Sequence, residues 1–449
     1  MNKASGAAER QHNQLMRGSA AAALAVAING LGGFAFWGLL GRLVPTASVG
    51  AAEKTYTAVL VVTYLTSLGL PITIARFCPD RSPRASRVFN VSIVATVASS
   101  AVGAAVLVVI ASGDLLSALG TSSAMASFAI LTVFIAGMSC AVLVEVRLIA
   151  LRRWGWVIGR ALLVVVLRFS LVFVHSADPA RWAFLLIAGF PALSGIIGAV
   201  ALRVTSPRSI AMVAAERRAC VRYSAVNYAG LLGAQGPQFL VPLIVAVYGT
   251  STDYAPFYIA WGATTIVFLL PHIAGQALVA ESGKPGAQLT ALTMRSLTLC
   301  VAATTVIAVL SLGSAPVLQA LLGPDYRAAA PLLPWLLGAA IPWSVTSTVL
   351  ASARARSASR VVLLVTLGFF ATTLAAVAVG MAVDSTSGAA RGWFVANLVV
   401  GVAAGATLLP LRLRLRSSAP VLRRTVLELE PAVIVLEPTV IDLEPAVTS

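Results

Sequence analysis

Charged side chains are scarce in this sequence. Asp, Glu, Lys and Arg make up 11% of its 449 residues, and hydrophobic residues make up 59%. An ordinary soluble domain carries roughly 25% charged residues, and in water a chain of this composition would expose apolar surface that nothing covers. We therefore exclude an ordinary soluble protein and expect a lipid bilayer as the solvent.

Motifs for covalent chemistry are missing as well. Cys78, Cys140, Cys220 and Cys300 are scattered without a CxxC pair, so they predict neither a metal site nor a disulfide framework. The sequence has no P-loop, no GxSxG, no paired carboxylates and no cluster of metal ligands, and its linkers are too short to hold an active site. We expect no catalytic residue, no metal and no cofactor, which disfavours an enzyme.

Long apolar runs dominate what is present. A helix needs about 20 apolar residues to cross a bilayer. No cleavable signal peptide is evident, because the chain is polar up to Arg17 and the run that follows is too long for a signal core. The predicted fold class is all-α, a polytopic membrane protein with about twelve transmembrane helices. The predicted spans are Gly18–Leu43, Thr55–Ile74, Val88–Ala111, Ala124–Val144, Trp156–Val174, Trp182–Leu202, Ser224–Val247, Ala255–Val279, Ser296–Ala315, Ala328–Ala351, Val361–Val383 and Trp393–Leu411.

Basic residues outnumber acidic ones by 32 to 16, an excess that in a soluble protein would suggest binding to nucleic acid. Here they concentrate in alternate linkers: 25 fall on one side of the predicted spans, five fall on the other side, and Arg160 and Arg168 lie inside the fifth span. The positive-inside rule makes the richer side cytoplasmic. We expect a multi-pass protein of the cytoplasmic membrane with both termini in the cytoplasm and no nucleic-acid partner.

The two halves of the chain look related. Arg17-Gly18-Ser19-Ala20 opens the first span and Arg222-Tyr223-Ser224-Ala225 opens the seventh, while Pro71 and Pro271 each follow a leucine one span later. Halves in the same orientation would be parallel repeats, and chance similarity between apolar segments is the alternative. The predicted domains are an N-terminal tail (1–17), a six-helix bundle (18–202), a cytoplasmic linker (203–223), a second six-helix bundle (224–411) and a cytoplasmic tail (412–449).

The C-terminal tail differs in kind from the rest. Leu-Glu-Pro recurs every seven residues from Leu429. Since proline prevents a continuous helix, we expect an extended or disordered segment, with a docking role as the alternative.

Several segments follow a familiar order. Leu68-Gly69-Leu70-Pro71 runs into Ala75-Arg76-Phe77, and Leu148–Arg153 leads into the fifth span. Gln238–Pro242 and Tyr258-Ile259-Ala260-Trp261 follow, and Leu322-Gly323-Pro324-Asp325-Tyr326 precedes the tenth span. In order, spacing and helix count, residues 15–415 resemble the Wzx-type polysaccharide flippases of the multidrug/oligosaccharidyl-lipid/polysaccharide exporter superfamily.

The resemblance implies two six-helix bundles around a central cavity. It also implies alternating access that moves an undecaprenyl-diphosphate-linked oligosaccharide from the inner to the outer leaflet. The expected partners are this anionic lipid-linked oligosaccharide, membrane lipids and polysaccharide assembly proteins. Two other functions stay open: a cation-coupled small-molecule exporter of the same superfamily, and a membrane enzyme of polysaccharide assembly.

Arginines in or beside the spans are the first candidate ligands, because a charged side chain in a span is costly and a guanidinium matches phosphate. Arg168 lies about 18 Å into the fifth span at a rise of about 1.5 Å per residue, and Arg160 is about one turn in. With Arg153 they would form a basic ladder facing the cavity. The alternatives are an Arg168 bonded to helix-end carbonyls or reaching the outer head groups, and an Arg160 that snorkels. Arg42 and Arg76, at span ends, are further candidates or ordinary topology charges.

Uncharged polar groups in the spans complete the candidate site. Asn29, Gln235 and His272 would suit sugar hydroxyls, with interhelical hydrogen bonding as the alternative. His272 follows Pro271, so it could also bond a freed carbonyl or carry a proton. Glu145 is predicted to be the only acidic residue near a span interior, where it would pair with Arg152 or Arg153. This scarcity disfavours coupling through carboxylates.

Overall fold

The computed structural model describes residues 24–25, 28–111, 114–171, 173, 177–204, 212, 214–282, 288–356 and 358–407. The predicted N-terminal and C-terminal tails lie outside these residues, as do the first residues of the first span. All long elements of the described part are helices. They are α1 (28–43), α2 (Thr46–Thr66), α3 (Leu70–Phe77), α4 (Pro83–Ile110), α5 (Ala124–Ala150), α6 (Trp154–Leu171), α7 (Pro179–Val204), α8 (Ala214–Tyr248), α9 (Ser251–Ser282), α10 (Leu289–Ser311), α11 (Ala315–Leu322), α12 (Leu333–Ala355), α13 (359–383) and α14 (386–406).

The helices make this a multi-pass membrane protein. Among the described residues, seven helical segments are long and apolar enough to cross a bilayer, with α13 and α14 counted as one, and the number is eight if the bent pair of α2 and α3 is one span. Every backbone polar group in lipid must be satisfied internally, which is why spans of this length are helical. The all-α prediction is confirmed, while the count of twelve spans stays a prediction.

The second predicted span begins earlier than the sequence indicated. We expected Thr55–Ile74, but α2 starts at Thr46, directly after Pro45, so Glu53 and Lys54 lie inside the helix. It breaks at Leu68 and Gly69, whose φ angles are 51° and 69°, and α3 continues at 49° to α2. Pro71 stands in the first turn of α3, where a missing N–H costs nothing, so the bend and the proline coincide.

The predicted linker between the halves is partly helical. We placed a linker at 203–223, but α8 already begins at Ala214. Ten residues that we assigned to the linker therefore belong to this helix.

The last two helices form an antiparallel pair. Their hydrogen-bonded segment, Ser359–Ala406, is interrupted where Asp384 and Ser385 leave the helical conformation. Gly380 meets the carbonyl of Gly388 across the pair, and Gly392 meets that of Ala376. A Cβ at Gly380, Gly388 or Gly392 would overlap the opposing backbone, so glycine is what allows the two helices to touch.

The loops define two ends of the bundle. We call the end with the loops at 78–82 and 151–153 the basic end, which the sequence predicts to be cytoplasmic. We call the end with the loops at 44–45 and 249–250 the opposite end. Helices alternate in direction between them, so α1 and α8 both run from the basic end to the opposite end.

Contacts join the first and second halves at both ends. At the basic end the Ser224 hydroxyl donates to the carbonyl of Leu68 at 2.6 Å. At the opposite end the Thr46 hydroxyl donates to Asp325 at 2.8 Å, and Arg42 donates to the carbonyl of Ala320. One large apolar core that includes Phe36, α2, α9 and α12 runs through both halves.

Candidate functional site

The larger cavity lies in the second half of the chain, between α8, α9, α12 and α13. It encloses about 940 Å³, near the upper end of the range of about 300–1,000 Å³ that is usual for ligand pockets. Ile72 of α3 is its one lining residue from the first half, and Arg354 and Ala358 line it where α12 ends at the basic end. The cavity is therefore off-centre and reaches the basic end, rather than lying on the midline between the halves as predicted.

The lining of the larger cavity is rich in hydrogen-bonding groups. His272 shares a 3.0 Å hydrogen bond with Gln276 one turn further along α9, and the Ser347 hydroxyl donates to the carbonyl of Pro271 at 3.0 Å. Among the described residues that line this cavity, Arg354 is the one Lys or Arg, and none is Asp or Glu. The polar lining residues are Asn227, Gln235, Gln238, Thr265, His272, Ser347, Arg354 and Thr366, and the aromatic ones are Phe268, Trp343 and Phe369.

A smaller cavity of about 350 Å³ lies between the halves, where α1 and α2 face α8 and α9. Trp37 of α1 and Tyr258 of α9 meet across it with ring centroids 5.6 Å apart. Gln238 and Thr265 line both cavities, so the two spaces adjoin. This arrangement provides one apolar chamber between the halves and one polar chamber that leads to the basic end.

The structure brings together two of the predicted site residues. Gln235 and His272 both line the larger cavity. Asn29 is an exposed residue of α1, one position from Gly30 of the smaller cavity. Arg76 is exposed at the end of α3 at the basic end, and Arg42 bonds Ala320 at the opposite end, so these three do not join the pair in the larger cavity.

Arg168 has structural partners. It donates to the carbonyls of Leu186 and Ile187, at 3.2 and 2.6 Å, and its guanidinium lies 5.7 Å from the centre of the Phe36 ring. Leu185–Gly189 is a π-helical segment of α7, whose wider winding withdraws carbonyls from the α-helical ladder. Arg168 thus bonds carbonyls inside α7 rather than at a helix end, and it lines neither cavity.

Replacing Arg168 should therefore destabilise the protein. We expect Arg168→Ala to cost about 2 kcal/mol of unfolding free energy, because two buried carbonyls lose a charged donor. Arg76→Ala, which removes an exposed guanidinium, should stay within about 0.5 kcal/mol. Thermal unfolding of both purified variants in detergent measures this, and an Arg168→Ala protein of unchanged stability that has lost transport would instead identify a cargo ligand.

Arg160 forms an ion pair with Glu145 of α5 and also lies 3.5 Å from the Ser194 hydroxyl. We predicted that Glu145 would answer Arg152 or Arg153, and the structure corrects this pairing. Arg160 and Arg168 of the predicted basic ladder are therefore bonded to α5 and α7, and neither they nor Arg153 lines either cavity.

Two charged residues that the sequence analysis misjudged lie buried in α2. Lys54, which we counted as a charge at a span end, is 0% exposed and donates to Asp114 and to the carbonyl of Gly249, both at 2.7 Å. Glu53 is also 0% exposed, so Glu145 is not the only acidic residue near a span interior. Pro45, directly before the first helical residue, is the local sequence feature at this helix start.

Comparison with solved structures shows that the fold is similar to those of several membrane transporters. The chain is similar to an inward-facing multidrug resistance MATE family transporter, with a TM-score of 0.59, 13% identity, and 89% of this chain and 98% of that one covered. It is similar to the lipid II flippase MurJ in its inward closed conformation, with a TM-score of 0.63, 10% identity and coverage of 88% and 87%. A MOP superfamily transporter from Pyrococcus furiosus, with a binding pocket of reversed polarity, matches at a TM-score of 0.53, 13% identity and coverage of 90% and 96%.

These neighbours are transporters, not enzymes. No protein-family model and no curated protein sequence matches the chain. At these identities the likeness concerns the fold alone, and the residues that line the cavities are what bears on the cargo.

Proposed function

We propose that this chain is a flippase that moves an undecaprenyl-diphosphate-linked oligosaccharide across the cytoplasmic membrane by alternating access. The observation that carries the proposal is the charge of the larger cavity, whose described lining residues include Arg354 and no carboxylate. A guanidinium is a permanently charged donor that suits the diphosphate. An organic cation would meet no counter-charge there.

The remaining lining residues suit a glycan. Gln235, Gln238 and Asn227 offer amides, and Ser347 and Thr265 offer hydroxyls, so sugar hydroxyls would find both donors and acceptors. Arg354 lies at the basic end, the predicted cytoplasmic side, where the diphosphate of an inner-leaflet lipid sits. In this arrangement Arg354 holds the diphosphate at the mouth, while Gln235 and His272 contact the sugars deeper in the cavity.

A second candidate function is export of small molecules. Phe268, Trp343 and Phe369 line the larger cavity, with Phe268 and Trp343 stacked at 5.7 Å, and aromatic faces attract organic cations. A planar cationic cargo would use these rings rather than Arg354.

Arg354→Gln should weaken binding of a polyprenyl-diphosphate oligosaccharide probe about tenfold, since one charge-assisted hydrogen bond to phosphate, worth about 1.5 kcal/mol, is lost. Equilibrium binding to the purified full chain in nanodiscs measures the effect. Arg360→Gln is the matched control, because Arg360 is an exposed arginine near the same end that lines neither cavity, and it should leave affinity unchanged.

Two outcomes would contradict the flippase. One is equal binding by both variants and the wild type. The other is tight binding of a planar organic cation that Arg354→Gln strengthens, together with no binding of the diphosphate probe, which would favour the exporter.

A further inference from the structure

Glu53 is a buried carboxyl without a partner. It lies seven residues into α2, about 10 Å from the helix start at a rise of about 1.5 Å per residue, and is 0% exposed. Neither of its carboxyl oxygens has a hydrogen-bond partner among the described residues. Lys54 does not neutralise it, because the ammonium group is turned to Asp114 and Gly249.

The groups that face Glu53 are hydroxyls rather than cations. Its carboxyl acts electrostatically on Tyr254 and Tyr258 of α9 and on Tyr326 of the turn Pro324–Ala329. Tyr254 shares a 2.6 Å hydrogen bond with Thr57. The Tyr326 hydroxyl is also buried without a hydrogen-bond partner among the described residues, so it does not hydrogen-bond the Glu53 carboxyl.

The charged groups on helices near Glu53 lie at the basic end or contact other residues. The charged residues of α4, α5 and α8 lie at the basic end, and Arg181 of α7 packs on Gly120. Arg168 is held by the carbonyls of α7, and Asp325 accepts from Thr46. Among the described residues no group of three or more acidic, histidine or cysteine side chains could hold a metal ion.

We propose that Glu53 is a proton-binding site that is occupied while the opposite end is closed and is exposed to water when the halves part there. An ionised carboxylate buried without a cation or hydrogen bonds is costly by several kcal/mol. The protonated carboxyl is neutral, so its burial costs far less than that of the carboxylate. Proton binding therefore removes the uncompensated charge.

The position of Glu53 makes the proton a ligand that distinguishes two conformations. Above it, Lys54 and Thr46 join the halves at the opposite end, and one turn below it Thr57 lines the smaller cavity. A ligand shifts a conformational equilibrium by its difference in affinity between the states. Since the closed state holds the proton, acid favours closure and rising pH favours opening, whatever the cargo.

Infrared spectroscopy of the full chain in nanodiscs tests this directly. A protonated carboxyl has its own C=O stretching band, which shifts in D₂O. We expect this band to be present at pH 7, where an ordinary Glu, with a pKa of about 4.3, is ionised and gives none. Glu53→Gln should remove it. Glu145→Gln is the matched control, because Glu145 is paired with Arg160 and should contribute no such band.

The absence of the band at pH 7 in the wild type would overturn the proposal, as would a band that survives Glu53→Gln. Loss of the band on adding sodium at constant pH would also overturn it, since the site would then bind a cation. Should Glu53→Gln fail to fold, Glu53→Asp serves instead, and a band at unchanged frequency would contradict the assignment. None of these readouts depends on the proposed cargo.

Discussion

Gly388→Leu should prevent the chain from being recovered as a folded, monodisperse protein. A side chain at Gly388 would overlap the carbonyl of Gly380, and this backbone of α13 cannot move without separating the two helices. Overpacking of this kind costs about 3 kcal/mol, here at a contact where helices in lipid depend on close approach. Fluorescence-detected size-exclusion chromatography of the solubilised protein measures the recovered fraction.

Gly368→Leu is the control for this prediction. Gly368 also lies in α13, but a Cβ there meets nothing within 4 Å. We expect wild-type recovery, with a gain of up to about 1 kcal/mol because glycine is a poor helix former. If both variants were recovered equally, the close contact between the two helices would not be important for folding.

Sequence alone was sufficient for the helices and for the break after α2. In lipid only internally hydrogen-bonded segments are tolerated, so a long run of apolar residues by itself predicts a helix. The break also has a local signal, since Gly69 supplies the positive φ and Pro71 fits the first turn of the next helix.

The positions of the charged side chains could not be predicted in the same way. Whether Glu53 and Lys54 lie in a loop or inside a span depends on where α2 begins, and a hydropathy window does not resolve nine residues at a helix start. The role of Arg354 depends on the rotation of α12 about its axis, which is set by packing on α9 and α13. The partners of Arg168 belong to a π-helical segment of another helix, for which the sequence gives no signal.

Asp114→Ala should shift the protein toward opening at the opposite end by about 100-fold. Lys54 is 0% exposed while Asp114 is 65% exposed, so removing the carboxylate leaves a buried ammonium with one carbonyl as its partner. Breaking such a pair costs about 3 kcal/mol, and the closed state alone bears this cost because opening lets water solvate Lys54. The readout is the rate at which an impermeant maleimide, added at the opposite side, labels Gly33→Cys, whose Cβ lies in open space in the smaller cavity.

The double variant Asp114→Ala with Lys54→Met separates this mechanism from a general loosening of the bundle. Methionine removes the uncompensated charge and fills the same space, so the labelling rate should return close to the wild-type value. Asp384→Ala is the matched control, since Asp384 and Arg391 form a 2.9 Å ion pair within the second half, with about half of each side chain exposed, and exposed pairs contribute at most about 1 kcal/mol. A double variant that labels as fast as Asp114→Ala would show that the buried charge of Lys54 does not control closure.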